Sequence, residues 1–246
     1  MNFLSTAFFG VKAPEFFDGI LQAIKSAPPD GIFTGDNLFT IGRNLGFLED
    51  KVFLDAWKKH AETDIEKAIV WRNYVQAWAA KSVLSRKVPG DFVECACYKG
   101  ISARIVCDYV DFSNSGRDYY LYDLFEHDES MIHHAMPEHS ADLFDTVKRR
   151  FSGFPNVKIT KGFVPQVLDE LSPETIAFMN IDLNNAPAEI GALERLFDRL
   201  SPGGILILDD YGWRAYRPQK DAEDPWLAER GYQVLELPTG QGLVFK

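Results

Sequence analysis

Two short apolar runs that each stop on aspartate constrain this chain more than any other feature. Ile176-Ala177-Phe178-Met179-Asn180-Ile181 closes on Asp182, and Gly204-Ile205-Leu206-Ile207-Leu208 closes on Asp209 and Asp210. Runs this short and apolar, bounded by turn-forming or polar residues, read as buried strands of a parallel sheet. Open α/β sheets bind ligands just beyond the carboxyl ends of their strands. If the two strands are neighbours, the carboxylates converge on that rim, where crowded acids repel one another unless a cation lies between them. The alternative is that Asp182 and one of the pair only cap the helix or turn that follows.

The length of 246 residues and the 46% hydrophobic content suffice for one full α/β core with a smaller appendage. A formal net charge of −10, with Lys148-Arg149-Arg150 as the one tight basic cluster, argues against a nucleic-acid or anionic-membrane partner. No run approaches the ~20 apolar residues of a membrane span. The apolar start from Met1 to Phe9 lacks the basic flank and cleavage site of a signal peptide. Cys95, Cys97 and Cys107 match no metal-ligand spacing, and an odd number suits no closed disulfide set. A cytoplasmic setting is expected.

Residues from about 14 to 86 read as mostly helical, with a break from Pro28 to Asn37. Phe17, Ile20, Leu21 and Ile24 share one helical face. After Pro89-Gly90 the pattern changes to alternating strands and helices. Strands are expected at Asp91–Cys95, Tyr119–Tyr122, Val157–Thr160 and the two aspartate-tipped runs, with a helix from about Ser102 to Tyr109. Tyr232–Leu235 and Gly242–Phe245 read as a closing hairpin. The expectation is an α/β fold, a doubly wound Rossmann-like sheet with an antiparallel closing hairpin. Residues 1–88 would form a helical lid and 89–246 the ligand-binding domain.

The first strand runs into Glu94-Cys95-Ala96-Cys97-Tyr98-Lys99-Gly100, then a helix. Such a turn brings backbone and a helix N-terminus close to a ligand. A pyrophosphate site wants G-x-G-x-x-G, whereas this turn holds Ala96, Gly100 and the acid Glu94. A carboxylate there suits an amine and a sulfonium, and Asp123, 29 residues after Glu94, suits ribose hydroxyls. Together they point to S-adenosylmethionine rather than a dinucleotide.

These residues, with Tyr122-Asp123-Leu124-Phe125-Glu126, Ile181-Asp182-Leu183-Asn184 and Pro202-Gly203-Gly204 ahead of Asp209-Asp210-Tyr211, resemble the macrocin O-methyltransferase family from about Asn37 to Lys246. The resemblance implies a class I methyltransferase fold, and a metal-dependent enzyme that methylates sugar hydroxyls. It implies that Asp182, Asp209 and Asp210 hold Mg²⁺ or Mn²⁺. It places S-adenosylmethionine against Glu94, Cys95, Ala96, Tyr98, Lys99, Gly100, Asp123, Leu124, Phe125, Gly162, Ile181 and Asp182, with Thr40 and Ile41 in a short lid element. Thr40 as a plain helix cap explains that last match equally well. Two departures stand out. Ala96 replaces a motif glycine, and Asn184 stands where sugar-methylating relatives tend to carry an aspartate base, although an amide takes no proton at neutral pH.

His127, His133, His134 and His139 crowd the connection after the second strand. His127, nearest Asp123, is the candidate base, and a polar loop whose histidines merely face water is the alternative. Trp71, Trp78, Trp213 and Tyr216 read as core or lid packing, the last two with the better claim to touch a ligand. Arg43 and Arg72 read as salt-bridge formers. The expected activity is Mg²⁺-dependent methylation of a sugar or glycoside hydroxyl. A catechol-like acceptor or a non-catalytic binding subunit is the alternative, and a homo-oligomer is compatible with so long a lid.

Overall fold

The computed structural model describes residues 1–11, 14–127 and 135–246. The chain divides into two units, Met1–Val75 and Gln76–Lys246. The expected boundary at 88/89 lies between the end of the last front helix at Ser85 and the first strand of the larger sheet at Asp91.

The first unit contains strands β1 (Phe3–Leu4), β2 (Phe33–Gly35) and β3 (Leu38–Thr40) and helices α1 (Pro14–Lys25), α2 (Lys51–His60) and α3 (Asp64–Ala68). Helix α4 (Val70–Ser85) begins in it and continues into the second. β1 pairs parallel with β2, and β2 antiparallel with β3, through a tight turn in which Asp36 and Asn37 both take positive φ. This sheet corrects the helical reading of the front segment. Strands of two or three residues are too short for alternation to register against the helices around them. Phe33, Phe47 and Trp71 pack edge to face or tilted at 4.9–6.1 Å between centroids, so Trp71 is core. Arg72 grips the buried Asp36 with two hydrogen bonds, at 2.7 and 3.0 Å. Along α1, Phe17, Ile20 and Ile24 are half-buried while Leu21 is exposed.

The second unit is a seven-stranded sheet. In chain order it runs β4 (Asp91–Cys95), α5 (Ile101–Tyr109), β5 (Tyr119–Asp123), α6 (Leu143–Arg150), β6 (Val157–Lys161), β7 (Ile176–Ile181), α7 (Ala186–Leu196), β8 (Leu200–Leu208), α8 (Arg217–Ala228), β9 (Leu235–Glu236) and β10 (Gly242–Phe245). The spatial order is β6-β5-β4-β7-β8-β10-β9, with β4 to β8 parallel and β10 antiparallel to both its neighbours. From β4 the chain builds outward through β5 and β6, then returns to place β7 on the other side. The switch point therefore lies between β4 and β7, where open α/β sheets bind ligands. β7 is buried along its whole length and β8 over its last five residues, as continuous apolar runs require. β8 starts at Leu200, before the expected Gly204, and the closing hairpin pairs only from Leu235, after the expected Tyr232. Among the described residues no helix is long and apolar enough to cross a membrane.

Candidate functional site

β7 and β8 are parallel neighbours in register, with Ile181 opposite Leu208. Asp182 and Asp209 therefore leave the sheet side by side. The Asp209 N–H donates to the Ile181 carbonyl at 2.9 Å, and the Asp182 N–H to the Cys95 carbonyl at 3.1 Å. One carboxylate oxygen from each of Asp182, Asp209 and Asp210 lies within 4.8 Å of the other two. Asp209 and Asp210 are only 5% and 7% exposed. None of the three is the N-cap of the helix that follows. Helix α7 is capped by the Asn185 side chain, which accepts from Ala188 N–H at 3.0 Å, and the N-cap of α8 is Tyr216.

A divalent cation fits this set. Its oxygens are all hard donors, as Mg²⁺ and Mn²⁺ prefer. One orienting group was missed at the sequence level. Gln241 of the loop before β10 donates from Nε2 to Asp209 Oδ1 at 2.7 Å, and its own oxygen accepts from Thr239 at 3.0 Å. Separated from Asp209 by 32 positions, Gln241 carries no local signal.

The turn from β4 to α5 lies at the same rim. Ala96, Tyr98 and Gly100 take φ of +66°, +48° and +69°, so the backbone curls left-handed at alternate positions. At Gly100 this is obligatory, since a Cβ there would stand 2.7 Å from the Phe151 ring. Asp123, at the tip of β5, accepts from Tyr98 N–H at 2.7 Å and from Phe125 N–H at 2.6 Å. Its carboxylate thus ties the two loops together. Glu94 is one residue inside β4 rather than in the turn, and its carboxyl accepts from the buried Tyr119 hydroxyl at 2.8 Å. Burial pushes Glu94 up to about 8, against the hydrogen bond from Tyr119, with Asp209 and Asp123 adding to the rise. The free carboxylate expected there is a buried acid in this state.

The remaining candidates separate clearly. The side chains of Cys95 and Ile181 are wholly buried, so only their backbone reaches the rim, where both carbonyls are occupied. Phe125 is buried with φ +61°, and Leu124 is half-buried. Gly162 donates to the Asp123 carbonyl at 3.0 Å and helps line a cleft of about 340 Å³ beside Phe163, which is 53% exposed. Lys99 pairs with Glu138 at 3.1 Å, and the Tyr98 hydroxyl also bonds Glu138. His139 meets the Tyr98 ring edge-on at 5.4 Å and stacks with His127 at 6.3 Å. These two histidines thus gather beside Tyr98 of the turn from β4 to α5, while His133 and His134 lie outside the described residues.

Asn184 has φ +54° and a buried side-chain oxygen with no hydrogen-bond partner among the described residues. Trp213 lines a cleft of about 460 Å³ with Tyr211, Arg214, Arg217, Lys220 and Glu236, directly after Asp210. Trp78 is 41% exposed and Arg43 is exposed. Thr40 and Ile41 belong to the N-terminal unit. Thr40 closes β3 instead of sitting in a helix, its buried hydroxyl is without a partner among the described residues, and Ile41 is exposed.

The model of the Macrocin-O-methyltransferase (TylF) family matches residues 57–226. The 8-demethyl-8-(2,3-dimethoxy-alpha-L-rhamnosyl)-tetracenomycin-C 4'-O-methyltransferase of Streptomyces olivaceus is 27% identical over 156 residues, 57% of this chain and 60% of that protein. The match therefore spans less than two thirds of that relative's length. Among solved structures, the O-methyltransferase NovP superposes with a TM-score of 0.63 at 18% identity, covering 73% of this chain and 81% of its own. CalS11, described as a TDP-rhamnose 3'-O-methyltransferase, gives 0.57 at 15% identity over 96% of both chains. Podospora anserina PaMTH1, solved with S-adenosylhomocysteine bound, gives 0.55 at 14% over 99% and 100%. These likenesses show the fold to be that of the class I methyltransferases. With the family model covering more than half of its length, the chain belongs to the macrocin O-methyltransferase family.

Proposed function

We propose that this protein is an S-adenosylmethionine-dependent O-methyltransferase that uses Mg²⁺ or Mn²⁺ and acts on a hydroxyl of a sugar or glycosylated metabolite. The observation that carries the proposal is the convergence of Asp182, Asp209 and Asp210 within 4.8 Å, with none of them capping a helix. The Streptomyces relative, whose printed name describes methylation of a rhamnosyl group, supports the choice of acceptor class.

S-adenosylmethionine supplies an electrophilic methyl on sulfonium. A divalent cation held there would supply Lewis acidity to the acceptor hydroxyl. Asp182, Asp209 and Asp210 would hold the ion, with Gln241 orienting the Asp209 carboxylate by its hydrogen bond. The left-handed turn from Ala96 to Gly100 exposes backbone to the cofactor, with Asp123 placed for its ribose. Trp213 and the cleft beyond Asp210 offer an aromatic wall for the acceptor. Asn184 cannot accept a proton, which leaves His127 as the candidate base or acidification by the metal alone as sufficient.

The test is transfer of labelled methyl to sugar, glycoside and catechol acceptors, with Mg²⁺ and with chelator. Asp209→Asn is expected to lower metal-dependent turnover by at least about a hundredfold while cofactor binding persists. Labelling of catechols alone would move the acceptor class. Cofactor binding without any labelling, and indifference to Asp209→Asn, would favour the binding-subunit reading, to which Ala96 and the non-basic Asn184 lend support.

A further inference from the structure

Behind the three aspartates, helices α7 and α8 meet at a pair of buried glutamates. Glu189, in the first turn of α7, is 2% exposed, and Glu223, on α8, is 0% exposed. Glu189 Oε1 accepts from the N–H of Leu183, the residue directly after Asp182, at 3.1 Å. The same oxygen accepts from Gln219 Nε2 of α8 at 2.5 Å. Both Glu223 side-chain oxygens are buried and meet no hydrogen-bond donor among the described residues. Two carboxyls this deeply buried where α7 meets α8 disfavour a second negative charge, so the pair favours retaining a proton. Burial accordingly holds both acids above the usual carboxylate range.

A desolvated acid pair is a poor way to glue two helices, because apolar residues of similar volume do as well or better. What apolar residues cannot do is accept a backbone hydrogen bond. The Leu183 N–H sits between Asp182 and the left-handed Asn184, in a turn with no ladder partner of its own. On the other side, α8 continues the segment that begins at Asp209 and Asp210.

We propose that Glu189, tied to Gln219 of α8 and buried with Glu223 where the two helices meet, forms a positioning clamp that fixes the Asp182 turn against the helix behind Asp209 and Asp210, and so sets the spacing of the three carboxylates. The proposal rests on the metal reading given above. Neither glutamate touches the ion. Glu189 acts through Leu183, and Glu223 acts through Glu189.

Mn²⁺ titration of the full-length protein tests the clamp, with S-adenosylmethionine affinity as the reference. Glu189→Ala strands the Leu183 N–H and is expected to raise the Mn²⁺ dissociation constant about 10- to 100-fold, the usual effect of losing an outer-shell partner. The cofactor constant should stay within about twofold. Glu189→Gln and Glu223→Gln keep an acceptor for Leu183 and a hydrogen to share, so both should bind Mn²⁺ within about threefold of wild type. Rescue by glutamine separates a clamp from a simple loss of negative charge, which would weaken all three variants alike. Should Glu189→Ala not fold, the double variant Gln219→Leu/Glu223→Leu strips the clamp from the α8 side and carries the same expectation. Unchanged Mn²⁺ affinity in Glu189→Ala, or equal losses in Glu189→Ala and Glu189→Gln, overturns the clamp alone. A wild-type protein that binds no Mn²⁺ overturns the metal reading and the clamp with it.

Discussion

Glu94 shows how far a side chain's chemistry depends on where its strand puts it. In sequence it is an acid at the edge of a ligand-binding turn. In the fold it is buried, bonded to the Tyr119 hydroxyl and held at about 8 instead of the ordinary 4.5. An acid raised on folding takes up a proton as the chain folds between those two values. Its contribution to stability is complete below about 4.5 and is lost as pH rises through about 8. We therefore predict that metal- and cofactor-free Glu94→Gln loses stability less steeply than wild type across this window. Urea midpoints measured from about pH 5 to pH 9 check this, and parallel curves would mean that Glu94 is already ionised in the fold. Asn184 teaches the converse lesson. Its replacement of an acid was visible in the sequence, but its left-handed backbone and unpaired oxygen were not, because both depend on the turn closing between β7 and α7.

At the scale of elements, the turn between β4 and α5 is built for glycine at more places than it has glycines. Ala96 holds φ +66° where the family motif carries a glycine. A left-handed non-glycine residue costs roughly 1–2 kcal/mol, partly offset because alanine leaves the unfolded chain less freedom than glycine. Ala96→Gly should therefore stabilise the protein by roughly 0.5–1 kcal/mol, read as a higher urea midpoint at unchanged slope. Cofactor affinity should not fall, since the backbone already has the glycine conformation. A loss of stability would mean that the Ala96 methyl packs usefully. The aspartate-tipped strands were legible because a parallel sheet writes itself as apolar runs with polar ends. The small front sheet was not, since β2 and β3 are three residues each. Leu200–Gly203 at the start of β8 reads as a turn because Pro202 and Gly203 lie there, yet its first residue pairs with Ile176 ahead of a register shift. The groups that brace the aspartates, Gln241 on Asp209 and Glu189 on Leu183, were illegible because they reach across from other elements.

At the scale of the molecule, every candidate ligand for the metal and most of those for the cofactor fall within Gln76–Lys246. Their binding should therefore appear as stability of that unit. Two carboxylates almost wholly shut away from water, with a third beside them, form a site whose mutual repulsion is relieved when a cation enters. A ligand that binds only the folded state at about a hundred times its dissociation constant adds about 2.7 kcal/mol. For a unit of this size that corresponds to a rise in Tm of roughly 5–10 °C. We predict that Mg²⁺ and S-adenosylmethionine each raise the transition in this way. In Asp209→Asn the Mg²⁺ increment should vanish and the cofactor increment remain. Hydrogen exchange places the effect within the chain, with protection expected in 94–100, 181–185 and 209–213. The two increments are separable because the turn that would hold the cofactor is braced by Asp123, and the aspartates by Gln241 and Glu189. A cofactor increment that disappears together with the metal increment in Asp209→Asn would mean instead that the rim behaves as one cooperative site, with the carboxylates ordering the turn as well as the ion.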